Sequence, residues 1–482
     1  MIHKYTLFGY NIVIDTESGA VHVLSEIAVK MTDYLDVMAN RDGFTGFPDD
    51  CPMDIRYQFA KYESSDVKGA YAELCGLYKD GILFSKPYEI KLNYSDNFGE
   101  SPVKALCLNI AHDCNMTCEY CFAGKGESTT PGRYGLEKKL MSEETGMNAI
   151  RFLMQNSGSR RNLEVDFFGG EPLLNFETVK NIVTTTRVLE KQFNKNVRFT
   201  LTTNGTLLDD EKIDFINGNI SNIVLSLDGL PNTNDNMRKY DGGSGTYEDI
   251  VPMYQKLVEK RIKSGSPFKD YYVRGTFTRK NLNFAKDVIH MSDLGFKNVS
   301  VEPVVAEEDK DYSIRREDLP VIFKEYETLA REIIRRERKG QGTFNFFHFN
   351  IDLENGPCVY KRSKGCGSGS EYLAVTPEGD IYPCHQFVGN TKFVLGNINS
   401  RSANLDSANL ILNRDLMKKF FHNNIIENEK CGNCWVKYFC GGGCAANNAD
   451  FNCDIGEPYE IACELEKKRV ECAIAIKAAL NQ

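Results

Sequence analysis

Between about residues 103 and 315, short apolar runs alternate with longer stretches whose apolar positions recur every three to four residues. The runs Ala105–Ile110, Leu163–Phe168, Val197–Thr203, Asn222–Leu227, Tyr271–Thr278 and Asn298–Val305 read as strands. Ser142–Gln155, Glu177–Phe193, Tyr247–Ile262 and Phe284–Leu294 lie between them and read as helices. Six such repeats predict an α/β unit with a parallel sheet, either open or curled into a partial barrel. Glycine-rich and charged motifs follow the strand ends, where parallel α/β folds carry their chemistry.

The flanks differ. Residues 1–95 open with Tyr10–Asp15 and Ala20–Val23 around the turn Thr16–Gly19, which predicts a hairpin. Ser25–Ala39 has helical spacing with Ser25 at its N-cap position, and Asp66–Leu77 predicts a second helix. Asp80-Gly81 and the apolar Ile82–Phe84 then predict a short wing strand, giving a winged-helix arrangement. Tyr94–Val103 reads as a linker. Residues 316–345 predict a bridging helix, with Arg331–Lys339 on its solvated face. Residues 346–482 show little periodicity, so this segment is expected to fold around metal rather than around a large apolar core.

Charge and cysteine content narrow the function. A net charge of -9 argues against nucleic acid as a partner. No apolar run is long enough to cross a membrane, and Met1–Gly9 lacks the basic-then-apolar form of a secretory signal, so a cytoplasmic location is expected. Sixteen cysteines in a chain of 482 residues, clustered rather than dispersed, point to metal or redox chemistry. Cys51, Cys75 and Cys107 stand alone and read as small buried apolar residues. Cys453 and Cys472 read as structural.

Cys114, Cys118 and Cys121 form C-x3-C-x2-C in the loop after the first strand. Three thiolates there would hold three irons of a 4Fe–4S cube and leave the fourth open to a ligand. A zinc knuckle would need a fourth ligand, and His112 is awkwardly spaced for it. Cys366, Gly379 and Cys384 read as C-x12-G-x4-C, and Cys431, Cys434, Cys440 and Cys444 as C-x2-C-x5-C-x3-C, with Cys463 further on.

With Tyr120 before Cys121, the first array resembles the signature of the radical S-adenosylmethionine (SAM) superfamily. Gly169-Gly170-Glu171-Pro172 resembles that family's GGEP motif, which implies that its backbone and the Glu171 carboxylate bind the SAM amino group. The resemblance places Thr203 and Asn204, after the third strand, and Ser226 and Asp228, after the fourth, along the ribose and methionyl carboxylate. Arg238 and Arg274 are candidates for that carboxylate, or else close surface ion pairs. Backbone groups around Val304 are implied to meet adenine. The later cysteines resemble the SPASM extension of peptide- and protein-maturing relatives. That resemblance implies three 4Fe–4S clusters in all: Cys431, Cys434, Cys440 and Cys463 would hold one auxiliary cluster, and Cys366, Cys384 and Cys444 another. Cys358 or a substrate thiolate would fill the latter's remaining position.

The implied architecture is a partial (β/α)6 TIM-like barrel over 103–315, with a winged-helix leader-binding domain at 1–95 and a SPASM domain at 346–482. The segments 3–23 and 356–369 look like those of maturases of six-cysteines-in-forty-five-residues (SCIFF) peptides. This subgroup resemblance implies cysteine-to-carbon thioether crosslinking of a cysteine-rich ribosomal precursor. Its steps would be hydrogen abstraction by a 5′-deoxyadenosyl radical and a substrate thiolate held at an auxiliary cluster. The precursor's leader would bind the N-terminal domain, and a flavodoxin or ferredoxin would donate electrons. The alternatives are an anaerobic sulfatase-maturating enzyme, another peptide-modifying SPASM enzyme, or a non-catalytic iron–sulfur redox sensor. Asp228, His385 and Glu302 fall near the expected site without an assigned role.

Overall fold

The computed structural model describes residues 1–87, 102–123, 138–266, 269–353, 363–400 and 412–481. In the N-terminal part, β1 (Ile2–Leu7), β2 (Tyr10–Asp15) and β3 (Val21–Val23) form an antiparallel meander. Helix Glu26–Ala39 follows, and the Ser25 hydroxyl accepts from the Ala28 N–H at its start, as the sequence predicts. Helices Met53–Gln58 and Ser64–Lys79 complete this part. Strand β2 is buried on both faces: Val13 packs among the N-terminal helices, whereas Ile12 and Ile14 join the main core.

Six parallel strands build the centre: β4 (Ala105–Ala111), β5 (Asn162–Gly169), β6 (Asn196–Thr203), β7 (Asn222–Ser226), β8 (Asp270–Phe277) and β9 (Asn298–Pro303). Their order across the sheet is their order in the chain. With right-handed crossovers, a sheet that grows in one direction carries its helices on one face and curls. An open doubly wound sheet would reverse its order partway. Alternation in β5 matches this: Leu163, Val165 and Phe167 are fully buried, whereas Asp166 and Phe168 lie on the opposite, partly exposed face.

The C-terminal segment borders this sheet on both sides. β10 (Asn345–Phe346) pairs parallel with β9, and β11 (Tyr372–Val375) pairs parallel with β4. β12 (Asp380–Tyr382) and β13 (Gly396–Asn397) continue antiparallel, giving ten strands. Among the described residues, no helix is long and apolar enough to cross a membrane.

Three expectations need correction. Ile82–Phe84 is not a strand: Gly81 and Phe84 have φ of 72° and 56°, and the Ile82 carbonyl accepts from His22 and Ser18. The third strand of the sheet is instead β1. The last segment does carry an apolar core, because helix Glu460–Leu480 contributes Leu465, Val470, Ile474 and Ile476 to the main cluster. Arg331–Lys339 is more than a solvated face: Arg336 pairs with Asp293 and Glu332, and Arg338 donates to the Tyr10 hydroxyl. Of the expected linker, 94–101 lie outside the described residues, while Val103 is buried and its N–H donates to the Asn156 carbonyl.

Candidate active site

The loop after β4 carries Cys114, Cys118 and Cys121, and its backbone is pinned to the segment after β7. The Thr117 N–H donates to the Lys239 carbonyl and the Glu119 N–H to the Met237 carbonyl. This brings Tyr120 against two buried residues. Its hydroxyl lies 3.0 and 2.9 Å from the Asp228 carboxylate oxygens and accepts from Arg238 at 3.1 Å. The Thr276 N–H also donates to Asp228 at 2.9 Å. Burial pushes the Asp228 carboxyl up to about 6, against Arg238 and these donors.

Gly169 and Gly170 lie against the same loop. A Cβ on Gly169 would sit 2.3 Å from the Ala111 carbonyl oxygen, and one on Gly170 2.1 Å from that of Asp113. Gly169 also has φ of 131°, so only glycine serves there. Glu171 is fully buried and its carboxylate is engaged: it accepts from Leu173 N–H, the Thr203 hydroxyl and Asn204 N–H at 3.0, 2.8 and 2.7 Å. It therefore fixes the end of β6, and Asn204 in turn points its side-chain nitrogen at the Cys114 sulfur, 3.6 Å away. Burial raises Glu171 to about 7.

A pocket of 170 Å³ is lined by Cys114, Cys118, Gly169, Gly170, Thr203 and Asn204, among others. It adjoins a larger cavity of 550 Å³, within the usual size range of ligand sites. Tyr120, Cys121, Ser226 and Arg238 line both. Arg274 and Val304 line the larger one, together with Cys440, Cys444 and Cys463 from the C-terminal segment. The Val304 N–H is already paired with the Phe277 carbonyl. Glu171 and Asp228 stand behind these walls as positioning groups.

Burial and neighbouring groups raise several of the motif cysteines. Cys118 is pushed up to about 12 by burial, with Cys121 and Cys114 adding to the rise. Cys384 is raised by burial, then by Cys444 and Cys366. Cys463 is pushed to about 11 by burial and then by Cys431 and Cys434, and Cys440 to about 12 by burial with Cys463 contributing. These thiols stay protonated unless a cation replaces the proton, and thiolate sulfur is the donor that iron–sulfur clusters take, so the donor set suits iron. Among the described residues no three such side chains converge on a single ion. Cysteines of a cube bind separate irons at separate corners and need no such convergence. Cys358 lies outside the described residues. Cys51, Cys75, Cys107 and Cys472 are buried, and Cys453 is exposed at a helix end.

Glu302 and His385, expected near the site, line the larger cavity with Phe122 and Phe168, which the sequence did not single out. Glu302 on β9 faces three groups: His348 Nε2 at 3.2 Å, Arg274 at 3.6 Å and Arg469 at 3.9 Å. Burial alone would raise its carboxyl, but these neighbours outweigh that and hold it well below the usual range. Phe122, Phe168 and His385 form an aromatic wall, with Phe168 and His385 ring centres 4.9 Å apart. His348 and Arg469 come from remote segments, and only the folded barrel brings them to Glu302.

Comparison with known proteins agrees with this geometry. Residues 108–273 match the radical SAM superfamily and residues 366–435 the SPASM iron–sulfur cluster-binding domain. The radical SAM cyclopropyl synthase TigE of Paramaledivibacter caminithermalis is 22% identical, over 81% of this chain and 79% of its own. A cysteine-type anaerobic sulfatase-maturating enzyme of Clostridium perfringens is 25% identical, over 71% of this chain and 89% of its own. The solved structure of native anSMEcpe with bound AdoMet shares the fold, with a TM-score of 0.61 and 21% identity over 79% of this chain and all of its own. The chain therefore joins a radical SAM domain to a SPASM iron–sulfur cluster-binding domain.

Proposed function

We propose that this protein installs intramolecular cysteine-to-carbon thioether crosslinks in a cysteine-rich ribosomal precursor peptide. The observation that carries the reading is the 550 Å³ cavity, which Cys121 and Tyr120 line from one side and Cys440, Cys444 and Cys463 from the other. A peptide in that cavity would meet both centres at once. When bound, SAM and three 4Fe–4S clusters would supply hydrogen-atom abstraction from a substrate carbon, an electron sink and a site for a substrate thiolate.

The protein's own residues do the positioning. Gly169 and Gly170 let the backbone approach the SAM amino group, and Thr203, Asn204 and Ser226 line the same pocket. Arg238 and Arg274 offer guanidinium groups to a carboxylate. Phe122, Phe168 and His385 form an aromatic wall that would keep water from a reactive carbon. Cys366, Cys384 and Cys444 would hold the cluster that accepts the substrate thiolate. The edge strand β3 and its exposed Val23 support leader binding by strand addition at the N-terminal domain. A flavodoxin or ferredoxin would donate electrons in a reducing cytoplasm.

The similarity to sulfatase-maturating enzymes favours a second reading, oxidation of a cysteine or serine to formylglycine. The two separate in one anaerobic experiment: reconstituted enzyme, SAM, dithionite and a cysteine-rich precursor peptide, analysed by mass spectrometry. Loss of two hydrogens per crosslink with matching loss of alkylatable thiols is expected. SAM cleavage with a full complement of thiols would exclude thioether formation.

A further inference from the structure

The N-terminal sheet reaches into the segment between two cysteines of the four-cysteine set. In the turn joining β2 to β3, Glu17 accepts from Lys437 Nζ at 2.8 Å, with both side chains buried, and from the Tyr438 hydroxyl at 3.4 Å. Lys437 donates as well to the Gly432 carbonyl at 3.1 Å. Gly432 lies between Cys431 and Cys434, and Lys437 between Cys434 and Cys440, so one carboxylate braces the whole ligand-bearing segment. On β1, His3 stacks on Trp435 with ring centres 3.8 Å apart and planes 3° from parallel. His3 Nε2 also lies 3.0 Å from Glu471 of the C-terminal helix, and Tyr5 donates to the Glu471 carbonyl at 2.9 Å. Trp435 directly follows Cys434.

A surface loop needs no such arrangement. A buried ammonium held by one carboxylate is stable only while the pair is intact. The stacked ring pair keeps the segment beside Cys434 covered on the same side. Both braces come from the domain otherwise proposed to hold only a leader.

We infer that Glu17 and His3 are positioning residues for the iron–sulfur cluster of Cys431, Cys434, Cys440 and Cys463, so that the N-terminal domain forms part of that cluster's site. The inference rests on the proposed reading that these four cysteines hold a cluster. Outer contacts of this kind orient ligands and control solvent access to a metal centre.

The test uses the full-length, anaerobically reconstituted protein and compares Glu17→Gln with wild type and with Cys434→Ala. Iron release to EDTA is followed by visible absorbance, and cluster potentials are measured by titration with electron paramagnetic resonance. Glu17→Gln is expected to speed iron release from one cluster by about tenfold or more. It should also raise that cluster's potential, because the Lys437 charge loses its counter-ion. Adding Lys437→Met in the same chain should restore release toward the wild-type rate. His3→Leu, which leaves the ion pair intact, should speed release by a smaller factor, and it keeps the test decisive if Glu17→Gln does not fold. Release and potential at wild-type values in both variants, with one cluster missing from Cys434→Ala, would overturn the inference and leave the cluster assignment standing. Full iron in Cys434→Ala would overturn both.

Discussion

Tyr120 bridges Asp228 and Arg238: its hydroxyl lies 3.0 and 2.9 Å from the two carboxylate oxygens and accepts from the guanidinium at 3.1 Å. One phenol oxygen thus links the cysteine loop to the ends of β7 and of the helix Pro231–Met237 that follows it. Tyr120→Phe removes the link and leaves two buried charges without their shared partner. The expected loss is about 1–3 kcal/mol of SAM affinity, or roughly five- to 150-fold. Anaerobic equilibrium dialysis measures it, and an unchanged affinity would place the triad outside SAM binding.

Glu171 predicts a pH dependence of stability. Burial raises its carboxyl from 4.5 to about 7, so the folded protein holds this proton more tightly than the unfolded chain does. Stability therefore falls as pH rises from about 4.5 to about 7 and levels off above. Between pH 6 and 8 the share of this one group is a loss of about 1 kcal/mol. Urea unfolding at the two pH values should show that difference in wild type and not in Glu171→Gln. Equal pH dependence in both proteins would assign the slope to other groups.

The six central strands were legible because each is a continuous apolar run that stops at a polar or glycine motif, as Leu163–Phe168 stops at Gly169-Gly170. The position of the first cysteine array was legible in the same way, because Cys114, Cys118 and Cys121 follow directly on the first central strand. The wing strand at Ile82–Phe84 was misread because three apolar residues after Asp80-Gly81 look the same whether they pair or simply bury. Leu83 and Phe84 bury without pairing. β1 was missed because its alternation includes His3 and Lys4, whose partners Trp435, Glu471 and Asp33 are not sequence neighbours. The setting of Glu302 was illegible for the same reason: His348 and Arg469 reach it only after β10 and the C-terminal helix dock.

Iron content tests the cysteine assignments one at a time. Alanine at Cys114, Cys118 or Cys121 should remove roughly one cluster's iron, about four atoms per chain, together with SAM cleavage. Alanine at Cys431, Cys434, Cys440 or Cys463 should remove a similar amount while some SAM cleavage persists. Cys358→Ala should leave iron near wild type, because a substrate thiolate is proposed for that coordination position. Loss of a further cluster's iron from Cys358→Ala would make Cys358 the ligand and close the site to a substrate sulfur.

Arg469 tests whether the cavity wall directs chemistry as well as holding the domains together. Its Nε donates to the Tyr326 hydroxyl at 2.9 Å, and its other nitrogens lie 3.9 Å from Glu302 and 3.6 Å from Glu466. One planar fork thus ties the C-terminal helix to β9 and to the helix Leu319–Arg338. Arg469→Met leaves Glu302 with only Arg274 and His348, at an expected cost of about 3–5 kcal/mol in stability. Because Gly169, Gly170, Thr203, Asn204 and Ser226 lie on elements that Arg469 does not touch, SAM cleavage should persist while crosslinked peptide per 5′-deoxyadenosine formed falls. Arg469→Lys should not restore that ratio, since a single ammonium cannot serve three partners spread across the fork. The measurement is the product ratio by liquid chromatography and mass spectrometry. A ratio equal to wild type in Arg469→Met would confine this residue to stability.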